Sequence, residues 1–187
     1  MDDGMEALVP LRVAAILDGG GNNIYNLVMQ EITGRRRMVI TIGMSEAQAI
    51  AVFMEGIAMP RPLTHDLMAR LISAFGGRLS RVIIEGLEGG RFRTSLVMDK
   101  GGAPVILDSR TSDAVALAIR CQAPIFAREA VLRLANGDAD ALRSGAAGGV
   151  EGTPSGLLRE KLRHAVAAED YEAAQKIQDE LRRRGEA

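Results

Sequence analysis

The sequence predicts an α+β fold: a mixed, largely antiparallel sheet packed with helices, followed by a C-terminal antiparallel helical hairpin. Three observations point there. Segments of strand character are grouped instead of alternating strictly with helices, which disfavours a doubly wound fold. The glycine pairs Gly89-Gly90 and Gly101-Gly102 divide successive strand runs, as turns do. Three intervening stretches carry apolar residues at helical spacing.

Taken in order, residues 8–17 and 24–32 are rich in strand formers and flank Asp18-Gly19-Gly20-Gly21-Asn22-Asn23, so they read as a hairpin. The glycines there are not a phosphate loop, because no Lys-Ser/Thr follows and the next segment is strand-like. A third strand is expected at Met38–Ile42, after the turn at Gly34-Arg35-Arg36-Arg37. Ser45 then opens a helix with Ala47, Ile50, Ala51, Met54 and Ala58 on one stripe, closed by Pro60 and Pro62. Thr64 opens a second, with Leu67, Met68, Leu71, Ile72 and Phe75 expected inward and Gly76-Gly77 as left-handed terminators. Strands at Leu79–Leu87, Phe92–Met98 and Pro104–Leu107 precede a helix at Asp113–Arg120 and a short last helix at Arg128–Leu134.

The chain has 187 residues, 47% of them hydrophobic and 3% aromatic, with no Trp and nine Met, so its core must be aliphatic and Met-filled. Few aromatics leave few platforms for stacking bases, and a net charge of −1 gives no general attraction to a polyanion. Any nucleic-acid contact must be local. The single Cys121 excludes an intramolecular disulfide and reads as a small thiol at a helix end. The opening Met1-Asp2-Asp3 lacks a signal-peptide pattern, and no apolar run is long enough to span a bilayer. A cytoplasmic location is expected.

The first domain is expected over residues 1–134, with a Gly/Ala-rich linker over 135–153 and a hairpin over 154–187. Thr153-Pro154 resembles a helix start. Leu158, Leu162, Ala165 and Val166 form one apolar stripe, and Tyr171, Ala174, Ile177 and Leu181 another, with Asp170 capping the return helix. Residues 157–187 balance seven basic against seven acidic side chains, which suits a protein contact better than a phosphate backbone. Leu158–Arg184 resembles the UVR motif, a helical hairpin of excision-repair nuclease subunits. That resemblance implies a UVR-containing partner, or self-association, through Leu158, Leu162, Val166, Tyr171, Ile177 and Leu181.

Three stretches carry the chemistry: Gly43-Met44-Ser45-Glu46-Ala47-Gln48-Ala49-Ile50, Arg61-Pro62-Leu63-Thr64-His65-Asp66-Leu67, and Asp108-Ser109-Arg110-Thr111-Ser112-Asp113-Ala114-Val115-Ala116-Leu117-Ala118. Together they resemble the bifunctional nuclease family, over most of residues 8–134. The resemblance implies hydrolysis of phosphodiester bonds in both RNA and DNA. Such chemistry needs charge stabilisation at phosphoryl oxygens and an activated water. The expected catalytic set is Glu46, His65, Asp66, Asp108 and Asp113, with Arg61 and Arg110 binding substrate phosphate. Asp66, Asp108 and Asp113 are the expected ligands of Mg²⁺ or Mn²⁺. Within these stretches no Asp-x-Asp, His-x-Asp or His-x-x-x-His spacing marks a preformed metal site.

The acids at the helix starts also have a structural explanation, Glu46 as a complement to the helix dipole. Ser45 with Gln48 fits a capping box, Thr64 with Asp66 fits the same role, and Thr111 or Ser112 with Asp113 repeats it. The rival reading is therefore a non-catalytic homo-oligomeric interaction module with an adaptor tail.

Overall fold

The computed structural model describes residues 7–20 and 23–135, with position 178 alone beyond them. The expected C-terminal hairpin, and the linker beyond Ala135, lie outside that span. Seven strands form one sheet: β1 (Leu8–Asp18), β2 (Ile24–Glu31), β3 (Arg37–Gly43), β4 (Gly77–Glu88), β5 (Arg91–Lys100), β6 (Ala103–Ser109) and β7 (Ile125–Arg128). Their order is β3-β2-β1-β7-β4-β5-β6. All neighbours are antiparallel except β4 and β7, which makes the sheet mixed. The hairpins β4–β5 and β5–β6 turn on Gly89-Gly90 and Gly101-Gly102, all four at positive φ, the geometry that matches strand twist in tight connections.

Helices α1 (Met44–Met54), α2 (Thr64–Ala74) and α3 (Thr111–Cys121) join the sheet, and residues 129–135 are helical as well. α1 packs on β2 and β3, α3 on β4 and β5, and α2 lies beside α3. Leu27, Met29, Met38, Ile50, Ile84, Leu117 and Leu132 are among the largest fully buried side chains, so the core is aliphatic and Met-filled as composition required. Because α3 is small and apolar from Ala114 to Ala118, it sits flush between its neighbours, and every residue of that run is buried.

Several local expectations are corrected. β7 was not expected: Ile125–Arg128 is too short a run after Pro124 to stand out despite Ile125 and Phe126, and it pairs with β1 and β4 only through tertiary contact. α1 ends at Met54 on Gly56, which takes φ 63°, so Ala58 and both prolines lie beyond it. Gly76 is left-handed, whereas Gly77 already begins β4. The inward face expected for α2 is largely turned outward. Ala69 and Ile72 pack on the core, while Leu67, Met68, Leu71 and Phe75 are exposed, Phe75 by 75%. With α3 occupying the space over β4 and β5, α2 is left at the margin of the helical layer, where one narrow edge meets the core.

Candidate functional site

The starts of the three helices carry the residues in question, but not in the capping roles their spacing implied. The N-caps are Gly43, Leu63 and Arg110, each extended and none making a side-chain cap bond. Ser45, Thr64, Thr111 and Ser112 therefore lie inside their helices. Only Asp66 serves a helix start, accepting a 2.8 Å bond from the Leu63 N–H. Thr111 is buried instead, its hydroxyl 2.7 Å from that of Thr94 on β5, which pins the α3 start to the sheet.

Pinning α3 places Arg110 over two carboxylates. Its Nε donates to Asp113 Oδ2 at 2.7 Å, its Nη2 to Asp113 Oδ1 at 3.2 Å, and its Nη1 to Glu46 Oε1 at 3.0 Å. His65 Nε2 lies 3.3 Å from Asp113 Oδ1. Glu46, His65, Arg110 and Asp113 thus form one cluster drawn from three helix starts. Arg110 is its exposed member, while the His65 side chain is only 12% exposed. Burial works to raise the Asp113 carboxyl, but hydrogen bonds and charge from Arg110, with a contribution from His65, outweigh it and hold it below the usual aspartate range. The same pairing, with Asp113 first and Glu46 after it, pushes the Arg110 guanidinium up. Gly43 leaves room for this arrangement: a Cβ there would stand 2.7 Å from Glu46 Oε2.

A cavity of about 490 Å³ opens beside Arg110, lined by Gly43, Glu46, Arg91, Phe92, Arg110 and Thr111 among others. His65 and Asp113 do not line it and connect to it through Arg110.

Asp66 follows His65 in sequence yet joins a different network. Its Oδ1 accepts a 2.5 Å bond from Nε of Arg120, whose side chain is 3% exposed. Arg120 also donates to the Ala116 and Ala49 carbonyls at 2.9 Å and lies 5.0 Å from the Phe53 ring centroid, tying all three helices together. Burial opposes the Asp66 charge, but bonds from Arg120 and Leu63 N–H, with the charges of Arg120 and Arg70, keep its carboxyl low. Arg61 lines the cavity beside Asp66, not the one beside Arg110. Asp108 stands exposed on β6 opposite Ser95 and joins neither network.

Consequently Asp66, Asp108 and Asp113 are not gathered as one ligand set. Among the described residues no group of three or more His, Cys, Asp or Glu is placed to hold a metal ion. Two of the three acids are already neutralised by arginine, so this donor set does not fit a divalent cation as it stands. Cys121, half-buried, has its thiol pushed up by desolvation, which makes it a poor nucleophile.

Sequence reasoning missed Arg120 and Arg91. A basic residue in a last helical turn reads as a dipole complement. The available signal for Arg120 was its position one turn after Ala116, on a stripe otherwise buried, where a charge demands a partner.

The family model of the bifunctional nuclease domain matches residues 27–140. The chain belongs to that family. Every residue of the two networks lies inside the match, whereas β1, an interior strand of the sheet, precedes it. Two proteins of Mycobacterium tuberculosis, from strains CDC 1551 / Oshkosh and H37Rv and both described as uncharacterized, are each 44% identical over 122 residues, covering 65% of this chain and 73% of theirs. No helix among the described residues is long and apolar enough to cross a membrane.

Proposed function

We propose that the domain hydrolyses phosphodiester bonds of RNA and DNA with low sequence specificity. The observation that carries this reading is Asp113 shared between His65 and Arg110 at the convergence of three helix starts, in a member of the bifunctional nuclease domain family. DNA lacks a 2′-hydroxyl, so cleavage of both polymers at one centre cannot rest on that group, and water is the nucleophile in this reading. With Nε2–H donated to Asp113, the free Nδ1 of His65 takes a proton as water attacks phosphorus, the P–O bond to the leaving sugar oxygen breaks, and that oxygen takes its proton from solvent. A substrate phosphate in the cavity competes for Arg110 with Glu46 and Asp113. Drawing the guanidinium onto phosphate neutralises the developing charge and uncovers the Asp113–His65 pair behind it. A divalent cation would supply charge stabilisation and a more acidic water, but no step here passes through one, because the acids present do not form its cage. Low specificity follows from the scarcity of groups for base readout. The test is co-elution: RNase and DNase activity should follow homogeneous protein through successive columns, and activity that separates from the protein would sink the proposal.

The tail belongs to a second part of the reading. The UVR resemblance of Leu158–Arg184 supports a separate unit, joined by the Gly/Ala-rich linker, that contacts a UVR-containing protein or another copy. Ile177→Asp with Leu181→Asp should abolish that contact in sedimentation while leaving cleavage intact, whereas loss of cleavage with contact preserved would place the tail in the catalytic unit. A non-catalytic, homo-oligomeric role is the alternative. It is favoured by the exposed apolar face of α2 and by Val105, Ile106 and Leu107 on the edge strand β6, exposed by 45%, 69% and 48%. The cytoplasm, where Cys121 would stay reduced, is the proposed compartment.

A further inference from the structure

The second cavity, of about 390 Å³, adjoins the first turn of α2, and its lining includes Phe53, Met59, Arg61, Asp66, Arg70 and Arg120. Its charge is unbalanced. Asp66 is the only acid in the lining, and Arg120 engages it directly. Arg61 and Arg70 are exposed and form no ion pair among the described residues, so both guanidinium charges are free to meet a ligand. A net charge of about +2 on one concave surface, in a chain whose formal net charge is −1, is a local anion trap. Its wall is apolar as well as cationic. Phe53 and Met59 remain 41% and 39% exposed, with the Arg120 guanidinium over the Phe53 ring. A bare inorganic anion would leave that wall unused, whereas a nucleotide within a single strand brings a phosphate for the arginines and a base or sugar for the wall.

We propose that this cavity is a phosphate subsite for single-stranded nucleic acid, in which Arg61 and Arg70 clasp a backbone phosphate and Phe53 with Met59 supports the adjoining nucleoside. His65 and Asp66 are consecutive residues serving the two networks, so one short strand passing the α2 start reaches both. The proposal rests on the nucleic-acid reading above and adds to it a second contact, distinct from the bond that is cut.

The experiment measures binding of a fluorescein-labelled single-stranded DNA octamer by anisotropy as salt is varied, using the full chain with His65→Gln to suppress cleavage. In that background Arg61→Ala/Arg70→Ala should lower the slope of log K against log salt by about 0.7, the value for the one phosphate the pair clasps. Between about 50 and 200 mM salt, the parent should then lose roughly 2.6-fold more affinity than the variant. Arg61→Lys/Arg70→Lys should keep most of the slope, and both exposed pairs should leave the melting curve unchanged. An unchanged slope and affinity in the alanine variant, or no octamer binding by the parent, overturns the proposal. So does inorganic phosphate binding as tightly as the octamer with the same arginine dependence, since the site would then serve small anions. The slope loss in a protein whose wild type cuts nothing would retain the subsite and reject the nuclease reading. Cleavage with no slope loss would do the reverse.

Discussion

Replacing Arg120 by Met keeps most of the side-chain volume and removes the charge that joins α1, α2 and α3. Arg120 is buried to 3% exposure and bonds Asp66 together with the Ala49 and Ala116 carbonyls. The two carbonyls are spaced to retain their own helical bonds, so most of the loss falls on Asp66. Removing one partner of a buried ion pair costs roughly 3–5 kcal/mol. Asp66 is 28% exposed and keeps its bond from Leu63 N–H, so water recovers part of that. The expected loss is about 2–4 kcal/mol, within the stability of a domain of this size. At about 3 °C per kcal/mol the melting temperature should fall by roughly 6–12 °C. Urea unfolding of wild type, Arg120→Met, Asp66→Asn and the double variant would measure it. The double variant should lose far less than the sum of the singles, because Asn without Arg strands no charge. A single-variant loss below about 0.5 kcal/mol, or strict additivity, would refute the claim that this pair fastens α2. Since α2 carries His65, a variant that folds should also cleave more slowly.

Acid should weaken the fold in a way Asp66→Asn moderates. The Asp66 and Asp113 carboxyls are held below their unfolded value near 3.9, so their stabilisation is complete above that value and is lost as pH falls through the lower folded one. Urea midpoints from about pH 5 down to about pH 2 should decline less steeply in Asp66→Asn, and parallel curves would contradict the assignment. Cleavage should persist in a chelator, because Arg110 and Arg120 occupy the acids an ion would need. Loss in chelator with recovery in Mg²⁺ would mean those pairs open to admit the ion. Leu71→Asp with Phe75→Asp should convert an oligomer to monomer in sedimentation if the exposed face of α2 is the contact, and an unchanged sedimentation coefficient would exclude that face.

What could be read from the residues was local. Strand formers bounded by glycine pairs located six of the seven strands, because period-two burial and positive-φ turns are written in neighbouring positions. β7 escaped for the opposite reason: Ile125–Arg128 is a strand only because β1 and β4 are already there to receive it. The α2 stripe showed which residues are apolar but not which way they face, since α3 takes the place over the sheet that α2 would need. The site behaved similarly. Helix starts carrying Glu46, His65, Asp66, Arg110 and Asp113 were legible, while their division into an Arg110 network and an Arg120 network depends on crossings that no spacing encodes. The caps misled because Thr111 had a buried partner in Thr94 that competes with a capping role.

Asp113, shared by His65 and Arg110, is the proposed hub of a nuclease centre. The direct measurement is cleavage of a single-stranded RNA and its DNA counterpart by wild type, His65→Gln and Asp113→Asn, purified side by side and matched in melting curve. Wild type should cleave both substrates, and each variant should fall by about 10²–10⁴-fold, the range lost with a general acid–base group. Equal rates in all three preparations would contradict it.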